Sequence, residues 1–330
     1  MSYSLNMIKN LSPSRASQFK TCPQQFKFAN VDKLKEPTNE VQAKGTAVHQ
    51  ALEDLFELPK EDRDTEKLHN LFRAAWTKVR RTDEYHSLFS SVDEEREWGV
   101  DGLKLLNNYM SMEDPKSFDP LERERWVRGT IEDLNLRGIL DRMDRNQNGE
   151  LIIVDYKSGK APTEKYKEPR FFALKLYALL IRDELGITPI ELKLIYLKNS
   201  TIHTLKVDNK MLDEVKIEIL DIWSDIKLAF EENNFPATKN ALCKNWCYYK
   251  PICPVFNDNA PSTEELRKIN EAISELQEEI MVLDMFKNDK DIPKESPISS
   301  SDRNKIQNKI FELEKDKELI EKEIFDLLGD

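Results

Sequence analysis

The sequence has few cysteines and no long apolar run, and both deficits exclude whole classes of protein. Four cysteines occur in 330 residues, and three of them fall within eleven positions. This spacing argues against a secreted disulfide scaffold and favours a metal site in a reducing compartment. No apolar stretch approaches the roughly 20 residues that span a bilayer, and the start shows no signal-peptide pattern. We therefore expect a cytoplasmic protein that does not enter a membrane.

A phosphate-binding loop and an excess of positive charge are also missing. No G-x-x-x-x-G-K-[ST] segment occurs, so the chain carries no ATP motor of that type. The net charge is −11, but residues 261–330 hold 19 acidic and 11 basic residues, which leaves 42 acidic and 39 basic residues in 1–260. The body is therefore near neutral, and any nucleic-acid surface must be a local basic patch.

The chemistry concentrates where a short apolar run ends in Asp155 and Lys157. Alternation predicts strands over 125–131, 134–143 and 150–157, and the segment from Asn146 to Gly149 is a strong hairpin signal. With a three-residue loop and a left-handed Gly149, Asn146 pairs with Glu150. In an antiparallel hairpin the residue numbers of opposed partners always add to the same value, so Asp141 then lies directly opposite Asp155. Two carboxylates and a lysine would meet at one edge of a sheet.

These three residues suit metal-assisted phosphodiester hydrolysis. Carboxylates are the ligands that Mg²⁺ and Mn²⁺ prefer, and a lysine can position water and neutralise developing charge. Taken alone, the Asp-x-Lys pair is more simply a buried ion pair that ends a strand, and the hairpin shifts the balance towards a site. His49 lies on a helix predicted over 45–58; alone, it is more simply a half-exposed helix residue than a ligand.

The remaining pattern is mostly helical. Helices over 65–80 and 92–112 form an inserted layer within about 60–120, and further elements are predicted for a short helix within 11–28, helices over 164–186 and 209–233, and strands over 190–197 and 202–207. In residues 261–330, apolar residues recur at alternating spacings of three and four positions. This spacing predicts a helical hairpin or coiled coil, which either packs on itself or binds a protein partner.

The four cysteines permit two metal interpretations. Cys22, Cys243, Cys247 and Cys253 could hold zinc or a [4Fe–4S] cluster, and either would join the beginning of the domain to its end. The spacing lacks the paired C-x2-C knuckles of a zinc ribbon, which gives a modest preference for iron–sulfur, with zinc as the alternative.

Several motifs together resemble one family. The chain is similar to the RecB-like branch of the PD-(D/E)XK nuclease superfamily, close to the actinobacterial RecB family exonucleases. The cysteine pattern is similar to that of AddB-type helicase–nucleases and CRISPR adaptation nucleases. The resemblance covers roughly residues 8–257 and rests on the segments LSPSRASQFKTCPQQFKF, KGTAVHQALEDLF, LRGILDRMD, LIIVDYKSGKAP, ALKLYALLI and CKNWCYYKPICPVF.

The resemblance implies a fold, a site and an activity. The fold would be α/β, a restriction-endonuclease-like mixed sheet flanked by helices, over a nuclease domain of residues 1–258. Mg²⁺ or Mn²⁺ would be held by His49, Asp141, Asp155 and the carbonyl of Tyr156, and Lys157 would be the catalytic lysine alongside the two aspartates. The four cysteines would match the iron–sulfur ligands. The activity would be that of a DNA exonuclease in repair or recombination.

The chain departs from the family at two positions. Ala173 stands where a glutamine usually precedes the helix tyrosine, here Tyr177, and Arg128 stands where many members carry a glutamate; Glu122 and Glu124 lie nearby but out of place. These departures argue against a second metal ion. They also motivate an alternative function, a weakly active or non-catalytic DNA-binding subunit that works with a helicase bound through the 261–330 tail.

Overall fold

The computed structural model describes residues 5, 8–82, 84–85, 88–243 and 247–256. The helical tail predicted over 261–330 lies outside these residues. The chain divides into two compact units. The larger contains Ile8–Ser17 and Pro37–Leu228, and the smaller contains Gln18–Glu36 and the described residues from Ala229 onward.

A five-stranded sheet forms the centre of the larger unit. Its strands are β1 (Glu122–Ile131), β2 (Leu134–Arg145), β3 (Leu151–Lys157), β4 (Glu191–Tyr196) and β5 (Thr201–Lys206). They lie in the order β1-β2-β3-β4-β5, with β3 and β4 parallel and every other neighbouring pair antiparallel. Because parallel neighbours need a long crossover, the chain leaves the sheet after β3 and returns through a helix. The predicted mixed sheet flanked by helices is confirmed.

The described part of the chain contains seven α-helices. They are α1 (Pro13–Thr21), α2 (Pro23–Phe26), α3 (Glu40–Leu55), α4 (Thr65–Val79), α5 (Val92–Met112), α6 (Phe172–Leu185) and α7 (Asn209–Glu231). Helix α3 begins earlier than predicted because Asn39 caps it, accepting hydrogen bonds from the amides of Val41 and Gln42. Among the described residues, no helix has the length and apolar content needed to cross a bilayer.

The prediction of one continuous helix over 164–186 is wrong. Two 3₁₀ turns, Glu164–Tyr166 and Glu168–Phe171, precede α6. Pro169 lies in the second turn. Because proline has no amide hydrogen, it cannot donate to the carbonyl four residues earlier as an α-helix requires, and the regular helix begins only at Phe172.

The inserted helices pack on α3 and on one side of the sheet. Buried side chains from α3, α4 and α5 form one cluster with Val154 and Tyr156 of β3 and with Ile195 of β4. Helix α3, which carries His49, is therefore fixed against the strand that carries Asp155 and Lys157.

The smaller unit joins two segments that are distant in sequence. Phe28 and Leu34 from the first segment pack with Tyr249 and Ile252 from the second. The phenol of Tyr249 donates to the carbonyl of Leu34 at 2.8 Å.

Candidate active site

The β2–β3 hairpin has the predicted register. Gly149 has a φ of +82°, and the amide of Asn146 donates to the carbonyl of Glu150 at 3.0 Å. Arg142 pairs with Val154, so the next position in the same register places Asp141 opposite Asp155. The three-residue loop is confirmed, together with the approach of the two aspartates that it implies.

Asp141 is held between strand β3 and helix α3. Its Oδ2 accepts a hydrogen bond from the amide of Tyr156 at 2.8 Å and lies 3.4 Å from Nδ1 of His49. Burial and, next, the charge of Asp155 raise the pKa of Asp141 to about 6, although His49 and the Tyr156 amide oppose the rise. The carboxylate is thus oriented by the fold and stabilised poorly as a free anion.

Glu124 joins this pair, although the sequence interpretation set it aside. Donor atoms of His49, Glu124 and Asp141 all lie within 4.8 Å of one another. Burial, followed by the charges of Asp141, Glu53 and Asp155, raises the pKa of Glu124 to about 7. The structure therefore brings Glu124, which the sequence interpretation called out of place, next to two of the predicted ligands.

The backbone at Glu124 is strained. Its φ is +43°, a left-handed conformation that costs a residue with a Cβ about 1–2 kcal/mol. Such strain is retained mostly where function requires it. Here the distortion occurs at the residue of β1 whose carboxylate joins His49 and Asp141.

Asp155 and Lys157 form the second half of the site. Lys157 Nζ lies 2.6 Å from Oδ2 of Asp155, and that buried oxygen has no partner with hydrogen-bond geometry. Burial alone would lower the pKa of Lys157, but the charges of Asp155 and Asp141 outweigh it and raise the pKa above its usual value. Lys157 is therefore a cation at neutral pH. Asp155 is not part of the compact His49–Glu124–Asp141 group.

A buried arginine supports the two acidic strands from behind. Arg142, next to Asp141, binds Glu113 through two hydrogen bonds of 2.7 and 3.0 Å and contacts Asp144 at 3.0 Å. It also donates to the phenol of Tyr156, next to Asp155, at 2.5 Å. Arg142, which follows Asp141, is thus hydrogen-bonded to Tyr156, which follows Asp155.

Two motif positions on β2 and α6 fit each other sterically. A Cβ added to Gly138 would lie 2.5 Å from the ring and hydroxyl of Tyr177, so only glycine leaves room for this tyrosine. Burial and the charges of Asp155 and Asp141 raise the pKa of Tyr177 to about 12. Ala173, at the position where the resemblance predicts a glutamine, lies at the start of the same helix.

All four cysteines line one cavity of the smaller unit, which holds about 570 Å³ of empty space with its open side included. Backbone amides of Thr238 and Asn240 donate to the sulfurs of Cys22 and Cys243 at 3.4 and 3.3 Å. Among the described residues, no three cysteine sulfurs lie within 4.8 Å of one another. A single zinc ion would need sulfurs about 3.8 Å apart, given a Zn–S distance of about 2.3 Å. This arrangement does not confirm the iron–sulfur prediction, which stays a prediction.

The chain is similar to two solved structures and to one family of proteins. A protein from Eubacterium rectale, named as a candidate exonuclease, shares 12% identity over 72% of this chain and 87% of its own, with a TM-score of 0.48. A structure named SSO0001 shares 12% identity over 76% of this chain and 87% of its own, with a TM-score of 0.36. No curated protein matches. The model of the PD-(D/E)XK nuclease superfamily matches residues 10–254, and the chain belongs to that superfamily.

Proposed function

We propose that this nuclease is a Mg²⁺- or Mn²⁺-dependent exonuclease that degrades linear DNA during repair or recombination. The observation that carries the proposal is the meeting of His49, Glu124 and Asp141 beside the Asp155–Lys157 ion pair. An imidazole and carboxylates form a donor set that Mn²⁺ accepts and that Mg²⁺ accepts through its oxygens.

The residues present fit a divalent cation. Three donors converge within 4.8 Å, and the neighbouring Asp155 contributes a buried oxygen whose ion-pair partner is Lys157, at 2.6 Å. We propose His49, Glu124 and Asp141 as ligands, with Asp155 and the carbonyl of Tyr156 completing the set. The ion would polarise the phosphate, acidify the attacking water and stabilise the leaving oxygen.

The chain's own residues perform the positioning. The Tyr156 amide fixes the Asp141 carboxylate, and Arg142 bonds the strands on the reverse side. Lys157, which pairs with Asp155 at 2.6 Å, orients water and offsets negative charge on the phosphate as a cation.

We further propose that the four cysteines hold a [4Fe–4S] cluster with a structural role. Two observations support this proposal: the thiols share one cavity, and amides donate to two of the sulfurs, a contact that tunes such clusters. Anaerobically purified protein should be brown, with a broad band near roughly 400 nm and about four irons and four sulfides per chain. A colourless protein that contains one zinc would replace this proposal with the zinc alternative.

The test of the nuclease proposal compares linear and covalently closed circular DNA in Mn²⁺. Wild-type protein should release nucleotides from linear DNA alone, and Lys157→Ala should not. Lys206→Ala, which removes an exposed strand lysine away from the site, should keep full activity. Equal activity in wild type and Lys157→Ala would contradict the proposal, and cutting of closed circles would replace the exonuclease with an endonuclease.

A second function is favoured by Ala173, which lies at the start of α6 where the resemblance implies a glutamine. In that case the chain would bind DNA and leave cleavage or unwinding to a helicase partner. Tight DNA binding without cleavage in either metal ion, together with a helicase retained by the full chain and lost on deletion of residues 261–330, would support it.

A further inference from the structure

Strands β1 and β2 present an exposed strip of aromatic and basic side chains, which we call the arginine–tryptophan strip: Trp126, Arg128, Arg137 and Ile139. Trp126 is 52% exposed and Ile139 is 40% exposed, and both arginines are exposed. Trp126 lies directly opposite Ile139, and Arg128 directly opposite Arg137. Directly opposed side chains of an antiparallel pair project on the same side, so the four form one surface.

The charges on this strip destabilise the pairing of β1 with β2. Like charges directly opposite each other destabilise an antiparallel pair, yet Arg128 and Arg137 face each other. The charge of Arg137 also reaches Arg15, whose pKa it lowers after the larger effect of burial. Within the described residues, no acidic side chain forms an ion pair with Arg128 or Arg137. The strip is therefore suited to an anionic ligand.

The aromatic part of the strip points to the nature of that anion. The Arg128 guanidinium lies 5.5 Å from the centre of the Trp126 ring, and more than half of the tryptophan remains open to solvent. A nucleobase can stack on such a ring, and neighbouring arginines can bind the phosphates of the same strand. A base inside a duplex does not offer its face, so this combination favours a single strand.

The position of the strip connects it to the catalytic residues. Glu124 lies two residues before Trp126 on β1, and Asp141 lies two residues after Ile139 on β2. Two residues of a strand span about 6.8 Å, so a nucleotide stacked on Trp126 is adjacent to one at the acids.

We propose that the arginine–tryptophan strip binds single-stranded DNA and delivers the strand to the acids, an inference that rests on the proposed DNA nuclease function. Trp126 stacks on a base next to the scissile phosphate. Arg128 and Arg137 bind the following phosphates, and the strip thereby sets the preference for single strands over duplex.

Binding without cleavage tests the strip. The full chain in EDTA is titrated into a fluorescein-labelled 12-nucleotide oligo(dT), a blunt duplex and an oligo(U) of equal length, with anisotropy as the readout. Trp126→Ala should weaken oligo(dT) binding roughly 5- to 150-fold, the equivalent of about 1–3 kcal/mol of stacking, and Trp126→Phe should restore most of it. Arg128→Gln and Arg137→Gln should each reduce the salt slope by about 0.7.

The controls separate the strip from the nuclease itself. Arg96→Gln removes an exposed arginine of α5, whose side chain is 71% exposed, and should bind like wild type. Unchanged oligo(dT) binding by Trp126→Ala would overturn the proposal, as would equal affinity for the blunt duplex or tighter binding of oligo(U). Cleavage that depends on Lys157, combined with unaffected binding in Trp126→Ala, would leave the nuclease function standing and remove the strip alone.

Discussion

Glu124→Gln separates a metal ligand from a structural residue, because the two roles predict opposite changes in stability. In the metal-free protein, Glu124 is an acid whose pKa is raised from 4.5 to about 7 by burial and by its acidic neighbours. The unfolded chain ionises this carboxyl near its ordinary value. The metal-free fold therefore loses stability as the pH rises from about 4.5 to about 7, and the loss is complete above that range.

The size of the effect follows from the same shift. Taken in full, the rise in pKa corresponds to roughly 3 kcal/mol, and solvent screening at this half-buried residue reduces it to about 1–2 kcal/mol. Replacing the acid by its neutral isostere removes the penalty. Glu124→Gln should thus be about 1–2 kcal/mol more stable than wild type at pH 8 in EDTA and no more stable at pH 4.

The assay is urea unfolding in EDTA at pH 4 and pH 8, repeated at pH 8 with Mn²⁺. Wild type should gain stability with Mn²⁺ by linkage to binding, and Glu124→Gln should lose most of that gain and most of its cleavage activity. Glu122→Gln is the matched control, since Glu122 lies two residues earlier on the same strand and pairs with Arg125. A variant that is less stable at pH 8 in EDTA and keeps the full Mn²⁺ effect would refute the ligand role.

Three further outcomes are expected. Arg142→Met should cost about 3–5 kcal/mol in urea unfolding, because Asp144 loses its ion-pair partner and Glu113 keeps only Lys193, at 3.7 Å; a loss below 1 kcal/mol would contradict the supporting role. Gly138→Ala should lower the free energy of unfolding in urea by about 1–3 kcal/mol, because the added carbon contacts Tyr177. Gly159→Ala, with no atom within 4 Å of the added carbon, should be near neutral in the same assay. Cys253→Ser should abolish the absorbance near roughly 400 nm while leaving the far-ultraviolet spectrum of the sheet; a retained band would exclude this thiol as a ligand.

Much of the fold and half of the site follow from local rules. Strand alternation, the turn at Asn146 to Gly149 and a constant register sum suffice to bring Asp141 opposite Asp155, and the apolar stripe of α3 directs that helix to the sheet. Each of these features depends on residues close together in sequence. The roles of the site residues as ligands and catalysts remain predictions.

The sequence interpretation missed Glu124 as a site residue for two reasons. The predicted strand began at 125, although β1 begins at Glu122, and the positive φ of Glu124 is a distortion that the alternation of residue types does not reveal. Comparison with the family pattern meanwhile drew attention to Arg128. The information was nevertheless present: the short turn between Ile131 and Leu134 fixes a second constant sum, and that sum places Glu124 opposite Asp141.

The buried arginine could not be predicted by any such rule. Lone charged side chains are rarely buried, and nothing near Arg142 in sequence announces Glu113, which comes from the end of a helix 29 residues away. Burial here is decided by partners that only the folded chain brings together.

The two hairpins that align the acids differ in what a change of length would do. Removing one residue from the β2–β3 loop would turn every later side chain of β3 to the opposite side of the sheet, so that Tyr156 would stand where Asp155 and Lys157 now project. Removing one residue from the turn after Ile131 would shift β1 against β2, which displaces Glu124, Trp126 and Arg128 but leaves the aspartate pair in place. Relatives of this nuclease should therefore keep the lengths of both turns, and that of the second turn most strictly, a pattern that genome sequences can display without any experiment on the protein.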